Sequence, residues 1–160
     1  MATAYQSRRF QLVTPVVEGA ESGSGKVTIE KVGNYNVIQS ATKKSGASAF
    51  QLGHPEPDDQ RITLNPSFRV NNNGALRFAS RLGLAHEGQT ALVEISTNNG
   101  ATWVEKFSQA GDRTSGELSF QDRSISLDEF TGSIIRVRFV FHVGSAYFSN
   151  VDSGAGWFID

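Results

Sequence analysis

One short segment has the residue types of a phosphate-binding loop. It reads Ala-Glu-Ser-Gly-Ser-Gly-Lys-Val over residues 20–27. A P-loop has glycine at the first position, and the lysine is followed by a hydroxyl residue that holds magnesium. Ala20 and Val27 stand at those two positions. The segment therefore lacks groups that phosphate binding requires, and we interpret it as part of a glycine-rich loop.

The spacing of the titratable residues matches no motif of a hydrolase. His86-Glu87 is not followed by a second histidine one helical turn later, as a zinc-protease motif requires. No serine lies in a Gly-x-Ser-x-Gly elbow, and the absence of cysteine excludes thiolate catalysis, disulfides and zinc ribbons. The acidic residues that could form a glycosidase pair are most simply solvated charges: Glu94, Glu105, Glu117, Asp122, Asp128 and Glu129. We therefore expect a chain that is not an enzyme.

Three aromatic residues could contact a sugar ligand. The apolar faces of sugar rings pack against exposed aromatic rings, while polar partners at the rim bind the hydroxyl groups. Trp103 follows a predicted hairpin turn, and Tyr147 and Phe148 lie in a segment rich in glycine, serine and asparagine. We predict these three as ligand-binding residues, although packing in the core is the alternative for Trp103 and Tyr147. Trp157 is most simply a core residue.

Four arginines alternate on two predicted strands. They are Arg77, Arg81, Arg136 and Arg138. These side chains could line one polar sheet face together with Glu94 and form ion pairs there. The alternative is a patch that binds phosphate or an acidic glycan, because the guanidinium group matches planar anions.

Composition limits the class of partner. The chain has 160 residues, and 15 Lys+Arg against 16 Asp+Glu leave a formal net charge of -1. This balance provides no general attraction to nucleic acid or anionic lipid, and no apolar stretch is long enough for a spanning helix. We therefore expect neither a nucleic-acid partner nor membrane insertion, and the length suits one domain.

The elements that must position these residues are predicted to be strands. In residues 134–143, apolar residues such as Val137 and Phe139 alternate with Arg136 and Arg138, which indicates one face in the core and one in water. The segments 90–97 and 101–107 flank an Asn-Gly turn and predict a hairpin. Further strands are predicted at residues 10–17, 27–32, 35–41, 48–52, 62–64, 117–121 and 156–160. That number of short strands suits an all-β, two-sheet sandwich.

Three connections have distinctive residues. Asn71-Asn72-Asn73-Gly74 predicts a second hairpin or a looser loop. Ser126 precedes a predicted helical turn, in which Glu129 could complete a capping box. Residues 54–60 contain proline and acidic residues, which predicts a mobile loop.

Three motifs follow one another in a recognisable order. They are Val93-Glu-Ile-Ser-Thr-Asn-Asn-Gly-Ala-Thr-Trp103, Ile134-Ile-Arg-Val-Arg-Phe139 and Gly156-Trp-Phe-Ile-Asp160. Together with the earlier segments 21–23, 44–47 and 64–68, they resemble the jelly-roll accessory domains of the MAM and cleaved-adhesin type over residues 18–160. Such domains occur beside secreted bacterial peptidases and in large surface proteins. The resemblance implies an antiparallel jelly-roll sandwich.

The resemblance also implies a setting and a function. We expect a single jelly-roll domain over residues 1–160, with its core at about residues 10–160, excised from a longer multidomain protein that is extracellular or on the cell surface. Its expected function is non-catalytic recognition or adhesion, with a glycan or an extracellular protein as the partner and contacts to neighbouring domains. A structural spacer beside a peptidase or glycosidase domain is the alternative, and an enzyme of unknown chemistry is the third class.

Calcium is the metal that the resemblance implies. Related jelly-roll modules tie an early loop to the last strand through this hard cation, which takes carboxylate and carbonyl oxygens. In this sequence Glu18 or Glu21 and Asp160 would supply the carboxylates. An exposed acidic loop and an unliganded Asp160 are the alternative.

Overall fold

Residues 16–160, as described by a computed structural model, form two antiparallel β-sheets packed as a sandwich. The strands are β1 (Val27–Glu30), β2 (Ile38–Gln39), β3 (Ala49–Leu52), β4 (Gln60–Leu64), β5 (Phe68–Arg69), β6 (Ala75–Leu82), β7 (Gln89–Ser96), β8 (Val104–Ala110), β9 (Gln121–Ser126), β10 (Ile134–Val143) and β11 (Trp157–Ile159). A single 3-10 turn over Asp128–Phe130 is the helical element of these residues. Across this part of the chain, no helix has the length and apolarity to span a membrane.

Strands distant in sequence lie side by side in both sheets. The six-stranded sheet has the order β1-β4-β10-β7-β8, and β5 also pairs with β10. The five-stranded sheet has the order β2-β3-β11-β6-β9. The predicted all-β sandwich is confirmed, and the last strand, β11, lies inside a sheet between β3 and β6.

Alternation along β10 builds the centre of the core. Ile135, Val137 and Phe139 are buried, whereas Arg136 and Arg138 remain partly exposed on the other face. Successive residues of a strand point to opposite faces, so the alternating pattern assigns each side chain to core or solvent. The predicted strand is confirmed over residues 134–143, and the alternation ends near Val140, which is buried between Phe139 and Phe141.

Trp157 lies in the middle of the apolar layer. It has no exposed surface, and its ring centre lies 5.7 Å from that of Phe139. The indole N–H donates a hydrogen bond of 2.8 Å to the Ser80 hydroxyl. Because its polar atom is paired, the burial of this large ring is fully favourable. The prediction that Trp157 is a core residue is confirmed.

The hairpin predicted around Asn98-Asn99-Gly100 joins β7 and β8. Asn99 and Gly100 have φ angles of 58° and 91°, which is the left-handed backbone that this residue pair tolerates. The Ser96 hydroxyl accepts a 2.8 Å hydrogen bond from the Gly100 N–H and holds the turn closed. The hairpin is confirmed, but its second strand, predicted over residues 101–107, is Val104–Ala110, so the connection spans residues 97–103.

Of the two predictions for residues 71–74, the looser loop is confirmed and the second hairpin is wrong, because the flanking strands belong to different sheets. β5 pairs with Ile134 and Ile135 of β10, whereas β6 pairs with β9 and β11. Asn73 does have a positive φ of 60°. The turn chemistry is therefore present, and it serves a loop that carries the chain from one sheet to the other.

The strand predicted at residues 117–121 is also displaced. The observed strand, β9, begins where the prediction ended, at Gln121. Glu117 instead binds the end of β6: its carboxylate accepts the Leu82 N–H at 2.7 Å, and its carbonyl accepts the Arg81 Nε–H at 2.8 Å. These side-chain contacts hold the segment outside the sheet.

Two further predictions are corrected near the chain start and the helical turn. Of the strand predicted at residues 10–17, residues 10–15 lie outside the described residues, and Val16 and Val17 are not in a strand. The helical turn is present, and the Ser126 hydroxyl accepts the Asp128 N–H. The capping box is wrong, because Glu129 pairs with Lys106 at 2.5 Å.

Candidate functional site

The outer face of the six-stranded sheet carries a row of polar side chains. Arg138 of β10 lies beside Glu94 of β7 on one side and Thr63 of β4 on the other. The row continues to the sheet edges with Thr28 and Glu105. These residues alternate with the core residues of their strands, so they face away from the sandwich.

An ion pair stands at the centre of this row. The Arg138 Nε donates to the Glu94 carboxylate at 2.5 Å, and both side chains are largely buried by their neighbours. A charged hydrogen bond in this setting fixes the guanidinium plane. The pairing of Glu94 with an arginine was predicted and is confirmed for Arg138.

Trp103 lies over this guanidinium. The Arg138 guanidinium carbon is 4.2 Å from the centre of the indole ring, which is a cation–π contact. The ring keeps part of its surface exposed. Trp103 is therefore neither a core residue nor a free side chain: it is held on the sheet face by Arg138.

Residues of the hairpin turn also pack against the Trp103 indole. A Cβ placed on Gly100 would lie 3.4 Å from Cζ2 of Trp103, so the turn glycine packs against the ring. The Asn98 carboxamide accepts the Thr102 N–H at 2.9 Å and donates to the Thr102 hydroxyl at 2.8 Å. These contacts order the residues that lead into Trp103.

Tyr147 and Phe148 lie at the opposite end of the same sheet. Arg136 pairs with Ser96, next to the turn that carries Trp103, whereas His142 pairs with Thr90. Six residue steps along a strand correspond to about 20 Å. The structure therefore does not bring the three predicted aromatic residues into one site.

Phe148 is anchored by its backbone and its ring. The N–H of Phe148 donates to the Gln89 side-chain carbonyl at 2.9 Å. Its ring meets His86 edge to face, with 5.3 Å between the ring centres. Tyr147 is partly exposed next to it. This end of the sheet thus carries a tethered aromatic pair without the ion pair that supports Trp103.

The four arginines do not share one face, so that prediction is wrong. Arg136 and Arg138 belong to β10 in the six-stranded sheet, whereas Arg77 and Arg81 belong to β6 in the five-stranded sheet. Alternation along a strand specifies which residues share a face of that strand, but it does not specify the sheet. The two pairs therefore lie on opposite sides of the sandwich.

The three predicted metal-binding carboxylates lie around one cavity of about 940 Å³. The Glu21 carboxylate accepts the N–H groups of Ala47 and Ser48 at 2.9 and 3.1 Å. Asp160 accepts the N–H groups of Lys44 and Ser45 at 2.8 and 2.9 Å. The early loop, the segment before β3 and the residue after β11 therefore meet here.

Two carboxylate oxygen atoms beside this cavity could still accept a cation as a ligand. Oε2 of Glu18 is buried without a hydrogen bond and lies 3.4 Å from Lys26 Nζ. Oδ1 of Asp160 accepts a long bond of 3.3 Å from Ser45, and a Cβ on Gly19 would lie 4.0 Å from it. Carboxylate oxygens next to backbone carbonyls are the donors that calcium takes. No cluster of three or more His, Cys, Asp or Glu suited to a metal occurs within residues 16–160, so carbonyl oxygens would have to complete the shell.

A buried histidine was missed by the sequence analysis. His54, placed in a predicted loop, is fully buried and stacks on Phe141 with ring centres 4.2 Å apart. Its Nε2–H donates to the Phe141 carbonyl, and its Nδ1 accepts from Gln89, both at 2.8 Å. Burial lowers the pKa of His54 to about 4, against the opposing effect of the Phe141 carbonyl. An isolated histidine beside proline and acids gives no pattern from which this burial could be predicted.

Comparisons with known proteins identify the fold. No protein-family model and no curated protein sequence matches the chain. Among solved structures, the K3 cleaved adhesin domain of Lys-gingipain from Porphyromonas gingivalis w83 superposes with a TM-score of 0.58 and 11% identity, over 89% of this chain and 92% of that one. The chain has the fold of a cleaved adhesin domain. The predicted resemblance is thus confirmed for the fold.

Two carbohydrate-binding modules superpose less closely on this chain. TmCBM61, solved in complex with beta-1,4-galactotriose, has a TM-score of 0.43 and 16% identity, and the match covers 89% of this chain and 90% of that chain. A family 29 carbohydrate-binding module has a TM-score of 0.41 and 13% identity, with 83% and 84% covered.

Proposed function

We propose that the chain is a non-catalytic recognition module that binds a glycan on the outer face of its six-stranded sheet. The observation that carries this proposal is the placement of Trp103. Its indole is partly exposed, and Arg138 and Gly100 hold it in position before any ligand arrives. A side chain that is already ordered loses little conformational entropy on binding, which favours affinity.

The surroundings of Trp103 suit a sugar. An aromatic ring packs against the C–H face of a pyranose, and polar groups at the rim bind its hydroxyls. The same sheet face provides the exposed residues Thr28 and Glu105. The Thr28 hydroxyl donates to the Asn65 side-chain carbonyl at 2.6 Å, so its oxygen remains available as an acceptor. A sugar hydroxyl can donate to the Glu105 carboxylate or to the Thr28 hydroxyl oxygen.

The fold supports a setting outside the cell. The structurally similar domain is a cleaved adhesin domain of Lys-gingipain. For this chain we propose an extracellular or surface-exposed setting, in which it recognises a glycan, holds a neighbouring domain near that surface and has no catalytic site of its own.

Binding to neutral polysaccharides tests the proposal. The probes are soluble galactan, mannan, xylan and β-glucan, titrated against the wild type, Trp103→Ala and Trp103→Phe. Tyr147→Ala is the matched control, because it removes a partly exposed aromatic ring at the other end of the sheet. The proposal predicts binding that Trp103→Ala weakens and Tyr147→Ala leaves unchanged. Absence of binding to every probe would favour the structural spacer.

We also propose calcium as a structural ion between Glu18, the early loop and Asp160. The ion would neutralise carboxylates from the two ends of the described chain and tie them together through oxygen ligands. Support comes from the buried Oε2 of Glu18, which has no hydrogen bond, and from the shared cavity. In this arrangement Lys26 would move away from Glu18 when calcium binds.

A further inference from the structure

A second groove lies on the opposite side of the sandwich, over the five-stranded sheet. It encloses about 470 Å³, and its lining includes Lys43, Lys44, Arg81, Leu118 and Phe120. The groove is formed between the segment before β3 and the segment before β9, with β6 beneath them. It shares no residue with the Trp103 surface.

The groove is positively charged although the whole chain is slightly acidic. Its lining residues include three cationic side chains and no Asp or Glu. The ammonium group of Lys43 donates to the carbonyl of Ser40, which is neutral. Lys44 pairs with Asp122, whose side chain is 83% exposed, and such solvated pairs contribute little. Asp122 offsets the charge of Lys44, whereas Lys43 and Arg81 bind only backbone carbonyls within residues 16–160 and keep their charges for an incoming anion.

Arg81 is the one cation of the groove that the fold holds in place. Its Nε donates to the Glu117 carbonyl at 2.8 Å, and its guanidinium carbon lies 5.3 Å from the ring centre of the buried Phe158. With Nε engaged, the two terminal nitrogens carry the donors that match a planar anion. A guanidinium fixed in this way is a recognition group for a carboxylate or sulfate.

Apolar side chains lie beside these cations. Leu118 is 90% exposed, and Phe120 is partly exposed on the same segment. A small inorganic anion would use only the charges. A ligand that carries an anionic group on a ring with apolar C–H faces would use both parts of the lining.

We propose that this groove binds an acidic glycan, with the carboxylate or sulfate of one sugar on Arg81 and the lysines and its ring against Leu118 and Phe120. The proposal goes beyond the recognition function assigned to the Trp103 surface, because it concerns another face and another class of sugar. It also gives a role to the exposed leucine, which makes no contribution to the core.

Two matched pairs of polymers test the ligand class. Polygalacturonate is compared with its methyl ester, and dextran sulfate with dextran, by isothermal titration calorimetry at low and high salt. The expected result is binding of at least one anionic polymer, loss of binding for its neutral counterpart, and weaker binding at high salt. The carboxylate and sulfate pairs distinguish the two sources of the anion. Failure of both anionic polymers to bind would overturn the proposal.

Variants test the location. Arg81→Gln should weaken binding about tenfold, because a charge-assisted hydrogen bond is lost, and Lys43→Gln and Leu118→Ser should each weaken it by a smaller factor. Arg77→Gln is the control, since it removes the same charge from the same strand and face outside the groove. The exposed positions of Lys43 and Leu118 keep the test valid if Arg81→Gln is unstable.

Three results would contradict the proposal that an acidic glycan binds in this groove. One is equal weakening by Arg77→Gln and Arg81→Gln, which would indicate a response to net charge alone. Another is polyglutamate binding as tightly as polygalacturonate, which would indicate an acidic peptide site. The third is loss of acidic-polymer binding in Trp103→Ala, which would place the ligand on the other face. Retention of that binding in Trp103→Ala keeps the two proposals independent.

Discussion

A fall in pH from 7 to 5 should destabilise the fold through His54 by about 2 kcal/mol. Burial lowers the pKa of His54 to about 4 in the folded chain, whereas an unfolded histidine titrates near 6.5. Between these values the unfolded state binds the proton and the folded state does not. Stability from this residue is therefore fully present above pH 6.5 and is lost as the pH falls toward 4, with a loss of about 2 kcal/mol at pH 5 and about 3 kcal/mol at pH 4.

Urea unfolding at pH 7, 6 and 5, followed by tryptophan fluorescence, measures this loss. Carboxylates also begin to titrate in this range, so the comparison variant is His54→Gln, which cannot take up the proton. The variant should be less stable at pH 7, because it loses the stack on Phe141. Between pH 7 and pH 5, the variant should lose about 2 kcal/mol less unfolding free energy than the wild type loses. Parallel pH profiles of the two proteins would refute the argument.

Other changes test the fold, the turn and the metal proposal. Trp157→Ala should lower the free energy of unfolding in urea by about 3–5 kcal/mol, because it opens a cavity in the core and leaves the Ser80 hydroxyl without its hydrogen-bond donor. A loss below about 1 kcal/mol would contradict the described packing. Gly100→Ala should lower the free energy of unfolding by about 1–2 kcal/mol, since φ is positive there. Gly132→Ala should lower it by a similar amount, because Gly132 has a similar φ and open space around it. Wild-type stability of both variants would contradict the positive φ angles. Millimolar calcium should raise the melting temperature relative to EDTA, and Glu18→Gln should abolish that rise; an unchanged wild-type melting temperature would remove the calcium proposal.

Local chemistry accounts for the parts of the fold that were predictable from sequence. The alternation in β10 and the Asn99-Gly100 turn depend on residues that are adjacent in the chain. Asn73 has the same left-handed backbone, yet its turn joins two sheets, because the partner of β5 is β10 rather than β6. Turn residues specify a change of direction, and strand pairing depends on distant segments.

In the candidate sites, too, some features were predictable from the sequence and others depend on contacts between distant segments. The family resemblance implied a calcium ion held by Glu18 or Glu21 and by Asp160; these carboxylates line one cavity, and the ion itself stays a prediction. The contact between Trp103 and Arg138 required the register of β7 against β10, which no local pattern shows. The burial of His54 likewise depends on Phe141 and Gln89 from two other strands, so its sequence neighbours were misleading.

The central claim is that Trp103 is the contact point for a glycan. Its most direct test is the affinity of the wild type and of Trp103→Ala for the neutral polysaccharide that binds best among galactan, mannan, xylan and β-glucan. The variant should keep its melting temperature and bind at least about tenfold more weakly. Equal affinity of the two proteins, or a loss seen only with Tyr147→Ala, would contradict it.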